Sequence, residues 1–484
     1  MNIKSVAVIG AGPAGLAAAK YLDAEKAFAK IVVYDQRPEP GGVWNYTSSP
    51  PNPNHLDVTV PRTRPSDLPE RCVSNKLEDG TTEAYFPSPI YDLLETNIPH
   101  ILMNFSDRPF PKDCPLFPEF RIVKRYLDEY AIEIRHLLKL ATQVQSISLV
   151  KEKGVARWKV VTENVQSKER EEEEVYDAVV CATGHYSDPY IPNIKGVSDF
   201  HERYPSVISH SKYYRRPEPY ADKKVLIVGN SASGLDISKQ ISTVTPHVLI
   251  SEKEKPNVLH NVSSNIAYHS EISEFLPRDK GVRFTNGHVE TDIDCIVFCT
   301  GYQYSFPFLQ GLDPHVTTTG ERTQGTYEHV FYYPEPTLAF LTLPQRIVPF
   351  PVAEAQSVWV ARIFSGRLTL PEKDSMRAWE EATITEKGSG KSFHNLAYPR
   401  DAEYINRLFE HSMSAVTDRR LGLENDGRGK IPPYWGEEKR WTRERFPMIK
   451  KAAQALGERR FEIRSLPDLG FDFEAWKREQ TVKE

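Results

Sequence analysis

Two glycine-rich turns in this sequence could each bind a dinucleotide, and the first lies almost at the amino terminus. Residues 6–22 read VAVIGAGPAGLAAAKYL, an apolar strand, a turn with Gly10, Gly12 and Gly15, and a helical pattern. The first glycine permits a tight turn, the second lets backbone N–H groups approach a pyrophosphate, and the third lets the helix pack closely on the strand. Asp35 ends the next strand, where its carboxylate can accept hydrogen bonds from ribose hydroxyls. This context favours a dinucleotide site over an ordinary glycine turn.

A glycine pair and a tryptophan follow this first unit. Gly42, Val43 and Trp44 come soon after Asp35, and we interpret them as backbone and indole close to the bound dinucleotide. A surface turn with a core tryptophan is the alternative interpretation. Three further residues are candidate contacts of the same dinucleotide: Ala14, Gln36 and Val144.

A second glycine turn repeats the same order of strand, turn and helix. Residues 223–241 read KKVLIVGNSASGLDISKQI, with Gly229, Ser231 and Gly234 at the three fingerprint positions and Ser233 as a further candidate contact. Ser231 replaces the middle glycine. A serine can still approach phosphate through its backbone, and it adds a hydroxyl donor. The sequence therefore predicts a second dinucleotide site.

The strand after the second turn ends differently from the strand after the first. It ends at Ser251, with Lys253 and Lys255 close behind, where the first unit has Asp35. A neutral hydroxyl with two cations suits a ribose that carries a 2′-phosphate, which a carboxylate would repel. We therefore expect NADPH rather than NADH at the second site. The alternative is that the two lysines form an exposed charge cluster without a ligand.

Two later apolar strands end in similar turns, VYDAVVCATG at residues 175–184 and DCIVFCTG at residues 294–301. One such strand after each glycine turn predicts an α/β fold with two dinucleotide-binding, Rossmann-like domains, in which the NADPH domain is inserted into an FAD domain. The expected limits are 1–186 for the first part of the FAD domain, 187–293 for the NADPH domain, and 294–484 for the second part with a carboxyl-terminal helical region.

Composition excludes several classes of partner. The 484 residues carry a formal net charge of −5, which gives no electrostatic basis for binding nucleic acid. No apolar run approaches the roughly 20 residues of a transmembrane helix, so we expect no membrane anchor. The five cysteines form neither a disulfide framework nor a CxxC pair, which indicates a reduced, cytoplasmic setting without a metal site. We expect a small-molecule substrate.

The electron acceptor follows by elimination. Two nucleotide sites suggest a tightly held flavin and a nicotinamide dinucleotide that delivers hydride to it. The sequence has no CxxxxC motif that could pass electrons to a disulfide. Dioxygen is the simplest diffusible acceptor that reduced flavin handles unaided.

These motifs together resemble the class B flavoprotein monooxygenases, specifically a flavin-containing monooxygenase of the fungal type. The class fingerprint F-x-G-x-x-x-H-x-x-x-(Y/F/W) aligns with Tyr204 and Ser206 in place of phenylalanine and glycine, while His210 and Tyr214 match. Tyr214 indicates the branch that oxidises heteroatoms. The other matching motifs are GAGPAGL, GGVW, LETNIP, ATGHY, VGNSASGLDI and FCTGY.

The resemblance implies a reaction and a set of site residues. NADPH reduces FAD, dioxygen adds to give a flavin 4a-hydroperoxide, and a soft sulfur or nitrogen nucleophile takes its distal oxygen. Asn97 matches an asparagine beside the flavin ring, although a helix or turn cap is the alternative. His210 is expected at the domain junction as a hydrogen-bonding group that helps to hold the cofactor. Residues expected along the cofactor path are Thr183, Gly184, Tyr186 and Gln356.

Other functions stay open at this point. A Baeyer–Villiger monooxygenase acting on ketones would use the same cofactors, and a nucleotide-binding protein without catalytic activity would keep the same fold. A homo-oligomer is compatible with the sequence. The substrate itself cannot be inferred from these residues.

Overall fold

The protein is described here as a computed structural model that covers residues 2–48, 60–76, 82–152, 154–167, 172–253 and 265–481. Eleven α-helices lie in this described part: α1 (Pro13–Ala24), α2 (His100–Met103), α3 (Phe120–Ala131), α4 (Val197–Arg203), α5 (Ala232–Ile241), α6 (Pro349–Phe364), α7 (Lys373–Lys387), α8 (Arg400–Met413), α9 (Glu424–Gly427), α10 (Glu437–Ala455) and α11 (Phe473–Thr481). None of these helices is long and apolar enough to cross a membrane.

The same residues form twenty-two β-strands, most of them short. They are β1 (Ser5–Ile9), β2 (Lys30–Tyr34), β3 (Val73–Lys76), β4 (Thr82–Tyr85), β5 (Leu138–Lys139), β6 (Thr142–Glu152), β7 (Val155–Asn164), β8 (Glu172–Tyr176), β9 (Ala178–Cys181), β10 (Asp188–Pro189), β11 (Ile208–His210), β12 (Val225–Val228), β13 (Val248–Ser251), β14 (Ile266–His269), β15 (Ile272–Leu276), β16 (Gly281–Phe284), β17 (Val289–Glu290), β18 (Cys295–Phe298), β19 (Tyr302–Gln303), β20 (Thr326–Tyr327), β21 (Phe331–Tyr332) and β22 (Leu338–Phe340).

Two sheets built on parallel strands organise the described chain. The first has the order β20-β21-β22-β9-β1-β2-β5, and its strands from β22 to β5 run parallel. The second has the order β11-β18-β12-β13-β14 and is parallel throughout. Their central strands are apolar along their whole length, as burial on both faces of a parallel sheet requires. The sheets belong to two Rossmann-like domains, so the predicted fold class is confirmed.

Four smaller sheets complete the strand pairing. Strands β6, β7 and β8 form one antiparallel sheet and β15, β16 and β17 form another, while β3 pairs with β4 and β10 pairs with β19. The last pair is the most informative. In it Asp188 lies opposite Gln303 and Pro189 opposite Tyr302, so the two connections between the large sheets run side by side. The second domain is thus an insertion.

One expected domain limit needs correction. Strand β18 lies beyond residue 294 and was assigned from the sequence to the FAD domain. It pairs instead with β11 and β12 in the second sheet. The reason is that a parallel sheet takes its strands from distant parts of the chain, and only strand pairing shows which sheet an apolar strand completes.

His210 bonds the inserted domain to the returning connection. It ends β11 and is fully buried, its Nδ1 accepts from the backbone N–H of Lys212 at 3.1 Å, and its Nε2 lies 3.0 Å from the carbonyl oxygen of Gly301. Because Nδ1 is an acceptor, the proton is on Nε2, which donates to that carbonyl. Burial lowers the pKa of this imidazole to about 3, so the neutral form holds the junction.

Helix α6 is the centre of the first domain. Its mostly apolar sequence is buried nearly all round, and it packs against α1 and α8. A helix without a solvent-exposed face belongs in the interior of a protein, where its few polar side chains need protein partners. It therefore joins the amino-terminal unit to the carboxyl-terminal helices.

A buried arginine in α6 holds the chain that follows α8. Arg362 is 1% exposed and donates to the carbonyl oxygens of Ser412, Arg428 and Lys430, at 3.0 Å and 2.9 Å for the last two. Buried carbonyl groups without a donor are costly. This one side chain therefore fixes the segment between α8 and α10 against the first domain.

We expect Arg362→Met to destabilise the protein by about 3 kcal/mol, because three buried carbonyl groups lose a charged donor, which for Arg428 leaves Arg367 as its remaining donor, while the volume is roughly kept. The measurement is the midpoint of thermal unfolding of the flavin-loaded protein. The matched control is Arg377→Met in α7, whose side chain is 57% exposed and which should change the midpoint little. Equal midpoints for the two variants would contradict the assigned role of Arg362.

A second prediction concerns pH and His210. Below the unfolded histidine pKa of about 6.5 the unfolded chain binds a proton that the folded chain excludes, so stability falls as the pH falls. Between about pH 6.5 and about pH 5, the free energy of unfolding should fall by about 1.5 kcal/mol less in His210→Gln than in the unaltered protein. Urea unfolding at both pH values measures this difference. The control is His288→Gln, because the side chain of His288 is half-exposed. An unchanged loss would mean that the His210 ring is charged in the folded state.

Candidate functional site

The first glycine turn packs directly against the end of β9. A Cβ atom on Gly10, whose φ is +106°, would lie 2.6 Å from the carbonyl oxygen of Ala182, and one on Gly15 would lie 1.8 Å from that of Gly10. Gly12 is the N-cap residue of α1, and no side chain caps this helix end. The N–H groups of the first turn are thus available to phosphate oxygens, and the loop fits a pyrophosphate.

The GGVW turn lies beside this loop, as the sequence predicts. A Cβ atom on Gly42 would lie 2.9 Å from the Cα of Gly12. Val43 accepts a hydrogen bond from the Ser88 hydroxyl through its carbonyl oxygen. The indole of Trp44 is half-buried and meets the ring of Phe350 edge to face, with centroids 6.4 Å apart. The backbone of this turn, rather than its side chains, therefore packs against the first loop.

Asp35 also lies at this loop. Its carboxylate accepts from the backbone N–H of Ala11 at 2.7 Å and from that of Arg37 at 2.8 Å. Burial raises the pKa of this carboxyl group. Each carboxylate oxygen has a second lone pair, so Asp35 can hold the loop and still accept from a ribose hydroxyl.

Three other predicted contacts of the first dinucleotide lie near this loop but do not present polar groups to it. Ala14 is buried in α1 and Val144 in β6. The amide of Gln36 is bonded to protein, accepting from Gln143 at 3.0 Å and donating to Glu70 at 3.1 Å. One N–H and one lone pair of this amide are left by these two partners, so its contact with the cofactor stays a prediction.

The turn after β9 reaches the edge where both sheets end. Thr183 is half-buried and Gly184 is exposed with a φ of +66°. Tyr186 is 46% exposed and meets Tyr302 edge to face at 5.6 Å. His185, between them in the chain, is buried, and burial lowers its pKa to about 4. Sequence analysis did not single out this histidine, although it stands inside the ATGHY motif.

The second glycine turn repeats the geometry of the first. A Cβ atom on Gly229 would lie 2.8 Å from the carbonyl oxygen of Cys299, and one on Gly234 would lie 2.0 Å from that of Gly229. Ser231 is the N-cap residue of α5, is exposed and makes no side-chain cap. Ser233 is half-buried in the first turn of the same helix. This loop, too, can receive a pyrophosphate.

The expected phosphate-binding group at the end of β13 needs correction. Ser251 is buried, and its hydroxyl donates to the carbonyl oxygen of Ser270 at 3.1 Å. A hydroxyl has one proton, so this one is not available to a phosphate. Lys253 is exposed and forms a long ion pair with Glu271 at 3.7 Å. Lys255 lies outside the described residues.

Two further expected cofactor contacts have protein partners for their polar groups. Both ring nitrogens of His210 are bonded to backbone groups, as described above. Gln356 is fully buried in α6, where it accepts from the backbone N–H of Thr342 at 2.7 Å and donates to the hydroxyl of Tyr404 at 3.0 Å. The two ring nitrogens of His210 are thus taken by backbone groups, whereas the Gln356 amide keeps one N–H and one lone pair, so its contact with the cofactor stays a prediction.

Asn97 lies in an exposed turn before α2, and its amide forms no hydrogen bond within the described part of the chain. Pro99, not Asn97, is the N-cap residue of α2, so the helix-cap alternative does not hold. The Lys450 ammonium group donates to the carbonyl oxygen of the preceding Thr96 at 2.9 Å. Tyr91, earlier in this segment, donates to Asp236 in α5 at 2.5 Å. The segment that carries Asn97 therefore contacts the inserted domain.

One cluster of potential metal ligands lies on the inserted domain. Atoms of His269, His288 and Glu290 fall within 4.8 Å of one another. The two imidazole rings stack with an interplanar angle of 13°, so one ion cannot lie in both ring planes, where the nitrogen lone pairs point. The Lys224 ammonium group also lies 2.6 Å from Glu290. These contacts are those of an ion-paired stack.

Comparison with known proteins agrees with this site. The profile of the flavin-binding monooxygenase-like family matches residues 74–272 and 262–417, and that of an NAD(P)-binding Rossmann-like domain matches residues 8–63. The flavin-containing monooxygenase FMO GS-OX3 of Arabidopsis thaliana is 34% identical over 443 residues, which cover 88% of each chain. FMO GS-OX-like 2 of the same plant is 36% identical over 387 residues, covering 77% and 76%.

Solved structures show the same relationship. The S-allyl-L-cysteine S-oxygenase from Allium sativum matches over 100% of both chains, with a TM-score of 0.76 and 28% identity. Cyclohexanone monooxygenase matches 84% of this chain and 97% of its own with a TM-score of 0.52, but at 14% identity it shows only the shared fold.

The predicted enzyme class and cofactors, FAD and NADPH, are confirmed by these relationships. The family profile covers most of the chain, and the relatives match it nearly from end to end. The chain therefore belongs to the flavin-binding monooxygenase-like family and is an NADPH-dependent flavin monooxygenase.

Proposed function

We propose that this monooxygenase transfers one oxygen atom from dioxygen to the sulfur of a small thioether. The observation that carries the proposal is the end-to-end likeness to the S-allyl-L-cysteine S-oxygenase. When bound, reduced FAD supplies the activated oxygen, and the second oxygen atom leaves as water. Small nitrogen nucleophiles are the second candidate class, since they react with the same oxygen donor.

We infer that the first glycine loop holds the FAD pyrophosphate at the amino end of α1, and that the second holds the NADPH pyrophosphate at the amino end of α5. Both helix ends lack a side-chain cap and both loops lack room for a Cβ atom, which supports the assignment. Beside the first loop lies Thr183, and in the same turn Tyr186 meets the ring of Tyr302.

The titratable groups near this edge support oxygen transfer to a neutral sulfur. Burial lowers the pKa of His185 to about 4 and raises the pKa of the Tyr302 phenol. Both groups are therefore uncharged near neutral pH. Sulfur attacks an electrophilic oxygen through its own lone pair, and no side chain has to donate or accept a proton at the substrate. An edge lined by uncharged groups is sufficient for this reaction.

The finer features of the protein are further proposals. We infer an FAD domain formed by residues 1–186 and by the chain after β19, with the NADPH domain between them. A cytoplasmic location, a homo-oligomer and membership of the fungal type stay predictions. The two FMO GS-OX relatives and the S-allyl-L-cysteine S-oxygenase reported above come from plants.

Substrate competition tests the proposed reaction. The purified, flavin-loaded enzyme is supplied with NADPH, oxygen and either a thioether amino acid, a tertiary amine or a cyclic ketone. We expect the sulfoxide as the main product, with turnover at least about tenfold above that with the ketone, because sulfur attacks an electrophilic oxygen through its own lone pair, whereas a ketone is an electrophile that the oxygen donor must attack. Lactone from the ketone without sulfoxide would refute the proposal and favour a Baeyer–Villiger enzyme.

Asn97→Ala tests the role of the exposed amide. We expect the ratio of sulfoxide formed to NADPH oxidised to fall by about tenfold or more, with hydrogen peroxide making up the difference, because a hydrogen-bonding group is lost at the reacting centre. The FAD content per protein should stay unchanged. Asn104→Ala is the control, since that amide donates to the backbone of Phe105. Loss of FAD from the Asn97 variant would show a structural role instead.

A further inference from the structure

The backbone hydrogen bonds of the two glycine turns define which residues correspond. In the first turn, the N–H of Gly10 donates to the carbonyl oxygen of Tyr34 at 2.7 Å. The next residue is Asp35, whose carboxylate accepts from the N–H of Ala11 at 2.7 Å. Ala11 follows Gly10, so the carboxylate of Asp35 bonds the N–H of the first residue after the glycine.

The second turn has the same backbone contact from its first glycine, but at a strand residue that the sequence had matched to the acid. The N–H of Gly229 donates to the carbonyl oxygen of Ser251 at 2.9 Å. Ser251 therefore corresponds to Tyr34. The counterpart of Asp35 is Glu252, and the second unit carries an acid at the ribose position as the first one does.

Glu252 also makes the counterpart contact to the loop. Its Oε2 accepts from the Nδ2 of Asn230 at 2.6 Å, and Asn230 follows Gly229 as Ala11 follows Gly10. Because a carboxylate only accepts at neutral pH, this contact determines that the amide nitrogen of Asn230 faces the acid. The amide oxygen then faces away from it.

Two buried acceptors at this position have no donor among the described residues. They are the Oε1 of Glu252 and the Oδ1 of Asn230. A ligand that satisfies both acceptors must supply two hydrogen-bond donors. A ribose with free 2′- and 3′-hydroxyl groups has two, whereas a 2′-phosphate in place of the 2′-hydroxyl removes one donor and brings a second negative charge to the carboxylate.

We propose that Glu252 sets the coenzyme specificity of this enzyme and that the second site accepts NADH as well as NADPH. The proposal rests on the assignment of the second glycine loop to the nicotinamide dinucleotide. NADH donates a hydride to the flavin and leaves as NAD⁺, so the electron count equals that of NADPH and no further reductant is needed. The enzyme can then use either NADH or NADPH as its reductant.

Calorimetric titration of the flavin-loaded protein with NADP⁺ and with NAD⁺ tests the proposal without turnover. For the unaltered enzyme we expect the two dissociation constants to lie within about tenfold of each other. Glu252→Gln should tighten NADP⁺ binding by about tenfold, because the like charge is removed, and should weaken NAD⁺ binding. Stopped-flow reduction of the flavin by NADPH and NADH should change in the same direction.

Two further variants separate this role from general effects. Glu274→Gln removes an equal charge elsewhere on the inserted domain, where Glu274 pairs with Lys195, and should change the ratio of the two constants by less than about twofold. Glu252→Asp keeps a carboxylate and should keep NAD⁺ binding. An unaltered enzyme that binds NAD⁺ more than about a hundredfold more weakly than NADP⁺, with the same ratio in Glu252→Gln, would overturn the proposal. If substitutions at Gly229 weaken the binding of neither nucleotide, the assignment of the second glycine loop to the nicotinamide dinucleotide is refuted instead.

Discussion

The close approach of each glycine turn to the end of a neighbouring parallel strand is the constraint on which the rest of the structure depends. A Cβ atom on Gly10 or on Gly229 would lie 2.6 Å or 2.8 Å from a carbonyl oxygen of that strand end. This space excludes side chains and leaves backbone N–H groups at the start of a helix. Two dinucleotides can then lie at the carboxyl edges of the two sheets, where parallel folds bind their ligands.

The insertion brings these two edges together. The connections between the domains pair as β10 and β19, and the buried His210 bonds the end of β11 to the residue that precedes β19. On the other side, Tyr91 donates to Asp236 in α5. The two domains are thus tied at both sides of the crevice. Hydride transfer needs this control of distance, because the reacting atoms of two cofactors held by different domains must meet.

Most of the fold could be predicted from local sequence patterns. Both glycine turns, the turns after β9 and β18 and the GGVW segment could be predicted because each depends on backbone space within a few residues. Side-chain roles depend on distant partners and could not. Gln356 matches a family position, yet its amide bonds Thr342 and Tyr404. A junction role of His210 could be predicted, but one of the two backbone groups that bond its ring, the carbonyl group of Gly301, lies 91 residues further along the chain.

The misassignment at Ser251 has a different origin, and it matters most for function. An apolar run shows that a strand ends but not which residue pairs with the glycine turn, and an error of one residue turns an acid into a hydroxyl. The hydrogen bond from Gly229 to Ser251 removes this ambiguity and places Glu252 where Asp35 lies in the first unit. A charge of that sign is compatible with a 2′-phosphate only if cations outweigh it. Lys253, the next residue, is 84% exposed and paired with Glu271. Coenzyme selectivity therefore depends on a balance of opposite charges within a few residues, and small changes there can shift it.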